Sequence, residues 1–229
     1  MNTKRISARS SRNAIAVLCA ILVIAAPVLA GPPLICHAIN IGSAQSLAWT
    51  TNTNSLTGRS DFDVAKLIPE TLALLTPSTP VLVRMETLRR AAIYAQSDTS
   101  VAKRLLLSLK SRVQENENDA LGQFDFGYLA ECYKQIQWAR SKGMTVWGSG
   151  PGSNPAVGVD GYASVKKAIQ MRGQDPEMEF AAALITVTSS QQDHDEHARK
   201  AVAGAKEDAL LASNIEGNGF IAVTETARN

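Results

Sequence analysis

The sequence predicts an all-α protein, built from antiparallel helical hairpins that form a bundle or short solenoid behind an irregular N-terminal arm. Three observations carry this. Apolar residues recur at spacings of three and four over most of the chain beyond residue 61. Capping residues and first-turn prolines stand just before several of those runs. No convincing pair of hairpin strands occurs anywhere.

The elements follow in order. Residues 31–60 open with Pro32-Pro33 and close in a Thr/Asn/Ser-rich stretch ending at Gly58, without apolar periodicity. Ile35, Ile39, Ile41, Leu47 and Trp49 predict that this arm packs on something. Val64, Leu67 and Ile68 share a helical face, and Pro69 suits the first turn of a second short helix through Leu75. Thr79 is the expected cap of the next helix, with Pro80 in its first position. That helix carries Val81, Met85, Leu88, Ala92 and Ala95 as an apolar stripe, and the following one repeats it with Ala102, Leu106, Leu109 and Val113. A connection as short as Ser97–Ser100 predicts that the two stripes zip together over residues 80–113.

Ala120 to Lys142 reads as a longer helix in which Gly127 marks a close crossing, with Gly143 as its stop. Glycines and prolines crowd residues 143–160, a long loop dividing a helical domain of residues 61–213. Tyr162 to Arg172 is a helix ended by Gly173, and Asp175-Pro176-Glu177 starts another that runs to about Val187. The spacing predicts one last helix from Asp193 to Ser213, then a loose tail over residues 214–229.

The first thirty residues predict a compartment. Lys4, Arg5, Arg9 and Arg12 precede an unbroken apolar run, Ala14 to Ala26, then Pro27 and the small-residue site Val28-Leu29-Ala30. This is the layout of a secretory signal peptide cut after Ala30, for a periplasmic or extracellular bacterial protein. The run is short of the roughly 20 residues a membrane span needs. Of the 23 basic and 21 acidic residues, four basic ones sit in this leader, so the remaining chain is slightly acidic. That excludes an electrostatic case for nucleic acid or an anionic membrane surface. Cys36 and Cys132 remain after cleavage, a possible single disulfide in an oxidising compartment.

Two resemblances accompany this reading. Phe126-Gly127-Tyr128 with Ala130 and Tyr133 resembles the first helix of a tetratricopeptide-like repeat unit, which implies a solenoid of paired helices. Pro32–His37 leading to Ile41-Gly42, the segment TPVLVRMETLRRAAIYA (79–95) and DPEMEFAAALIT (175–186) resemble a family of uncharacterised exported bacterial proteins. That similarity implies export and nothing about chemistry.

Candidate chemistry is sparse. Asp193-His194-Asp195-Glu196-His197 sets Asp193, His194 and His197 three and four residues apart on a helix, a spacing that suits two or three positions around a divalent transition metal. The order is not His-Glu-x-x-His, and a complete site needs another donor, such as His37 or Cys36. Cys36-His37 lacks the upstream cysteine of a haem attachment motif. The Gly148–Ser153 run lacks the lysine of a phosphate loop. Arg84, Arg89 and Arg90, with Trp147 beside the glycine-rich loop, form a candidate partner surface, against the simpler reading of a solvated basic face. No catalytic motif is complete. The expected function is therefore an exported scaffold that binds an envelope protein or peptide without a cofactor. The alternative is a metal-binding or hydrolytic enzyme built on residues 193–197.

Overall fold

Helix starts in this chain are set mainly by aspartate. In the computed structural model, which describes residues 31–147 and 154–221, the carboxylates of Asp98, Asp119, Asp160, Asp175 and Asp208 each accept from an N–H in the first turn of the helix that follows. The hydroxyl of Ser190 does the same for a sixth. The described residues hold nine α-helices and no strand: α1 (Pro33–Cys36), α2 (Leu67–Leu74), α3 (Val81–Tyr94), α4 (Thr99–Glu115), α5 (Ala120–Ser141), α6 (Gly161–Arg172), α7 (Pro176–Thr186), α8 (Gln191–Gly204) and α9 (Ala209–Asn218). The all-α class is as predicted. The expected signal peptide, residues 148–153 of the glycine-rich loop and residues 222–229 of the tail lie outside the described residues.

α3 departs from expectation at both ends. Thr79 does not cap it, because its hydroxyl donates to Leu74 O at 2.7 Å. Pro80 takes the cap position, and the carboxylate of Glu177, at the start of α7, accepts from Leu82 N at 3.1 Å. Nor do α3 and α4 zip together; each packs chiefly on α5. The reason is burial: every α3 residue except Arg90 is buried, so this helix is the centre of the molecule rather than one leg of a hairpin. Its faces are taken by α2, α5, α7 and the arm.

The hairpins that do form are α5–α6 and α7–α8. Gly127 is the reason α5 and α6 come so close. A Cβ on Gly127 would lie 2.5 Å from Gly161 O, and one on Gly161 would lie 2.5 Å from Gly127 O. α7 contributes the fully buried Phe180, Ala181, Ala182, Ala183 and Leu184 to the core.

The predicted last helix is two helices. Asp208 captures the N–H groups of Leu210 and Leu211, which starts α9 and ends any continuation from α8. The tail is also shorter than predicted: α9 runs to Asn218, Gly219 stops it at φ +71°, and Asn214, Ile215, Asn218 and Ile221 are buried. No helix among the described residues is long and apolar enough to cross a membrane.

Candidate functional site

The arginines expected at a partner surface are interior groups. Arg84 and Arg89 are completely buried. Arg84 meets the buried Asp125 at 2.5 Å and donates to Thr76 O and Thr79 O, closing the turn before α3. Burial pushes the Asp125 carboxyl up to about 7, against the pull of Arg84 and then Arg112. Glu86 is the hub of a second buried cluster. Arg89 grips both its oxygens at 2.8 Å, Arg90 reaches it at 2.7 Å, and Ile39 N donates to it at 3.0 Å. The two guanidiniums then donate outward to the carbonyls of Ile35, Thr53 and Leu47. The arm is thus seated on α3 by charges whose hydrogen bonds go to its irregular backbone. The basic-surface reading fails because Glu86-x-x-Arg89-Arg90 is an internal i, i+3, i+4 cluster. Trp147 is an anchor: half-buried, its ring packs edge-on against Tyr94 and its backbone N–H donates to Leu56 O at 2.8 Å.

The predicted metal cluster is also drawn apart. Nδ1 of His194 donates to Ala183 O at 2.8 Å. Nδ1 of His197 faces the carboxylate of Glu179, and its Nε2 lies 2.8 Å from the Tyr162 hydroxyl. Both nitrogens of His197 are therefore engaged, and no group of three or more metal-ligating side chains occurs among the described residues. Cys36 and Cys132 are free thiols rather than a disulfide. Burial pushes the Cys132 thiol well up, which makes it an inert core residue.

Glu179, His197 and Tyr162 stand in the order acid, imidazole, hydroxyl, the layout of a nucleophile relay. The electrostatics oppose that use. Burial first, then the carboxylates of Asp193, Glu196 and Glu179, push the Tyr162 phenol well above its ordinary value. The phenol stays protonated, and the chain of contacts ties α6 to α7 and α8.

Three clefts among the described residues are open enough to be considered for ligands. The first, of about 440 Å³, lies where residues 31–33 cross α5, α6 and the end of α7. Pro32, Pro33, Trp138, Tyr162 and Ile185 give it an apolar wall. Trp138, at 41 % exposure, is one of only three large apolar side chains so exposed among the described residues. The rim is polar. Lys134 is paired with Glu131 at 2.7 Å, while the Gln135 amide N–H₂ and the exposed hydroxyls of Thr188 and Ser189 make no hydrogen bond to a described residue. The second, of about 390 Å³, lies between the arm, Arg90 and α9 and is lined by carboxamides. A wider cleft of about 700 Å³ sits over the starts of α3, α7 and α9, where Asp175, Glu177 and Asp208 are committed to capping. Periodicity analysis missed Trp138, Glu179 and the role of Tyr162. The only cue in the sequence was a tryptophan near a helix end that no apolar stripe required.

Comparison with protein-family models, with curated proteins and with solved structures finds no match to this chain.

Proposed function

We propose that the protein is an exported scaffold of the bacterial envelope that binds a peptide segment of a partner protein in the groove of Trp138, Tyr162, Pro32, Pro33 and Ile185. The observation that carries this is the exposed Trp138 on an apolar wall, edged by Gln135, Thr188 and Ser189 with unused hydrogen-bonding groups. Apolar pockets for side chains beside neutral donors and acceptors for a main chain are what an extended or helical peptide requires. An aromatic side chain at the centre of such a patch supplies much of the binding energy. No cofactor enters this reading. Export follows from the basic, apolar and small-residue layout of residues 1–30, with the family resemblance in support. The N-terminal sequence of protein recovered from the host envelope is expected to begin at Gly31.

The test is selection of a displayed random peptide library on the purified protein. Enriched peptides are expected to share apolar side chains and to lose at least tenfold in affinity on Trp138→Ala, with no loss on Leu107→Ala, a somewhat more exposed residue on α4. Failure to enrich any sequence, or peptides indifferent to Trp138, would overturn the reading.

A further inference from the structure

We propose that the cleft between the arm, α3 and α9 is a binding site for a small organic carboxylate, held by Arg90 with Asn218 as its second contact. The site is independent of the Trp138 groove, and its outcome does not depend on that reading.

The charge pattern comes first. Glu86 is the one carboxylate that Arg89 and Arg90 share, so the buried cluster carries one positive charge in excess. Arg89 directs every one of its nitrogens to a protein acceptor. Arg90 does not. Its Nε goes to Glu86 and its Nη1 to Leu47 O, while Nη2 has no acceptor among the described residues. Arg90 is also the only α3 residue that is not buried, and it lines the cleft. The surplus charge is therefore presented at this opening.

Asn218 is the second observation. Its side chain lines the same cleft and is more than nine-tenths buried, yet its amide makes no hydrogen bond to any described residue and Oδ1 is wholly enclosed. A buried carboxamide without partners is rare in a folded protein and calls for a ligand or ordered water. Its neighbour Asn214 shows the contrast. That amide clasps the arm in both directions, accepting from Asn40 N at 2.7 Å and donating to Asn40 O at 2.9 Å. The clasp holds the arm against α9 one helical turn before Asn218, which lines the cleft with its amide unused.

The remaining wall adds donors. The Asn54 carboxamide accepts from Ala38 N at 2.8 Å, and its N–H₂ group makes no hydrogen bond to a described residue. No described Asp or Glu lines the cleft. A guanidinium edge flanked by amides, without a competing carboxylate, is chemistry suited to a carboxylate. A cleft of this volume holds a small molecule. An amide turned either way gives the ligand's second group, a hydroxyl or amine, a partner.

The experiment is calorimetric titration of the purified protein with acetate, lactate, glutamate and a short peptide with a free C-terminal carboxylate. Methyl lactate and the C-terminally amidated peptide are the uncharged controls. Saturable binding of at least one carboxylate is expected, weakened at least tenfold in its ester or amide. A small acid that binds when the peptide does not identifies a free metabolite as the source, and the reverse identifies a chain terminus. Asn218→Asp adds a negative charge without removing any protein hydrogen bond, and should weaken binding at least tenfold while the melting temperature holds. Arg90→Gln should abolish binding. Absence of binding by every acid, equal binding of the uncharged controls, or indifference to Asn218→Asp would overturn the proposal.

Discussion

The arm and the α7–α8 hairpin are held in different ways. α7 meets its neighbours mainly with alanines, Phe180 and Leu184, all fully buried, and its one buried charge toward α8 is Glu179, facing His197. The arm, over residues 31–60, meets α3 with Glu86, Arg89, Arg90 and the Tyr94 hydroxyl, the last donating to Ala48 O at 2.7 Å. A helix satisfies its own backbone, so its outer face can be largely apolar. An irregular segment cannot, and every carbonyl it buries needs a donor from elsewhere. Arginine suits that task, since one fork reaches several acceptors. Glu86, Arg89 and Arg90 thus bind the arm to α3.

The largest effect should come from removing the hub of that interface. Glu86→Ala leaves the Arg89 guanidinium buried without its counter-charge, and should cost about 3–5 kcal/mol in urea unfolding. A loss below about 1 kcal/mol would mean that the arm is held by its apolar residues alone.

Asp125 gives the second test, because it is a buried charge with no arm to hold. Its carboxyl is raised to about 7 in the folded chain, above an unfolded value near 3.8. Between those values the folded state keeps a proton that the unfolded state has released. Its stabilising contribution is therefore full at about pH 4 and is lost as pH rises through about 7. Asp125→Asn cannot ionise. The melting temperature of the wild type relative to this variant should fall by several degrees from pH 4.5 to pH 8, and a flat or rising difference would contradict the assignment.

A smaller effect is expected where α5 and α6 cross. Gly127→Ala places a methyl against the Gly161 carbonyl, so α6 must shift. Overpacking against backbone should outweigh the gain in helix propensity and leave a net loss of about 1 kcal/mol. A more stable variant would show that α5 and α6 can part freely.

Local signals made much of the fold legible. Asp175-Pro176 and Gly173 act within one turn, and both mark the helix ends they predict. The crossing at Gly127 was legible because a glycine inside a long helix has few other reasons. Partnership between distant elements was not legible. Nothing in the α3 sequence says that Glu177, 95 residues away, supplies its cap, or that its arginines point inward. Apolar spacing marks a stripe without saying which helix covers it, so α3 and α4 read as a hairpin although α5 covers both. The candidate sites were less legible still. Asp193, His194 and His197 share a helix turn, but their ring nitrogens answer groups on α6 and α7. Asn218 and Trp138 acquire meaning only from what surrounds them.

The claim that Glu86, Arg89 and Arg90 hold the arm is tested most directly by residue-resolved hydrogen exchange. The amides of Leu34 and Ile39 donate to Gln135 and Glu86. They should exchange as slowly as those of α3 in the wild type, and fast in Glu86→Gln while α5–α8 stay protected. Free exchange of these two amides in the wild type, with α3 still protected, would contradict it.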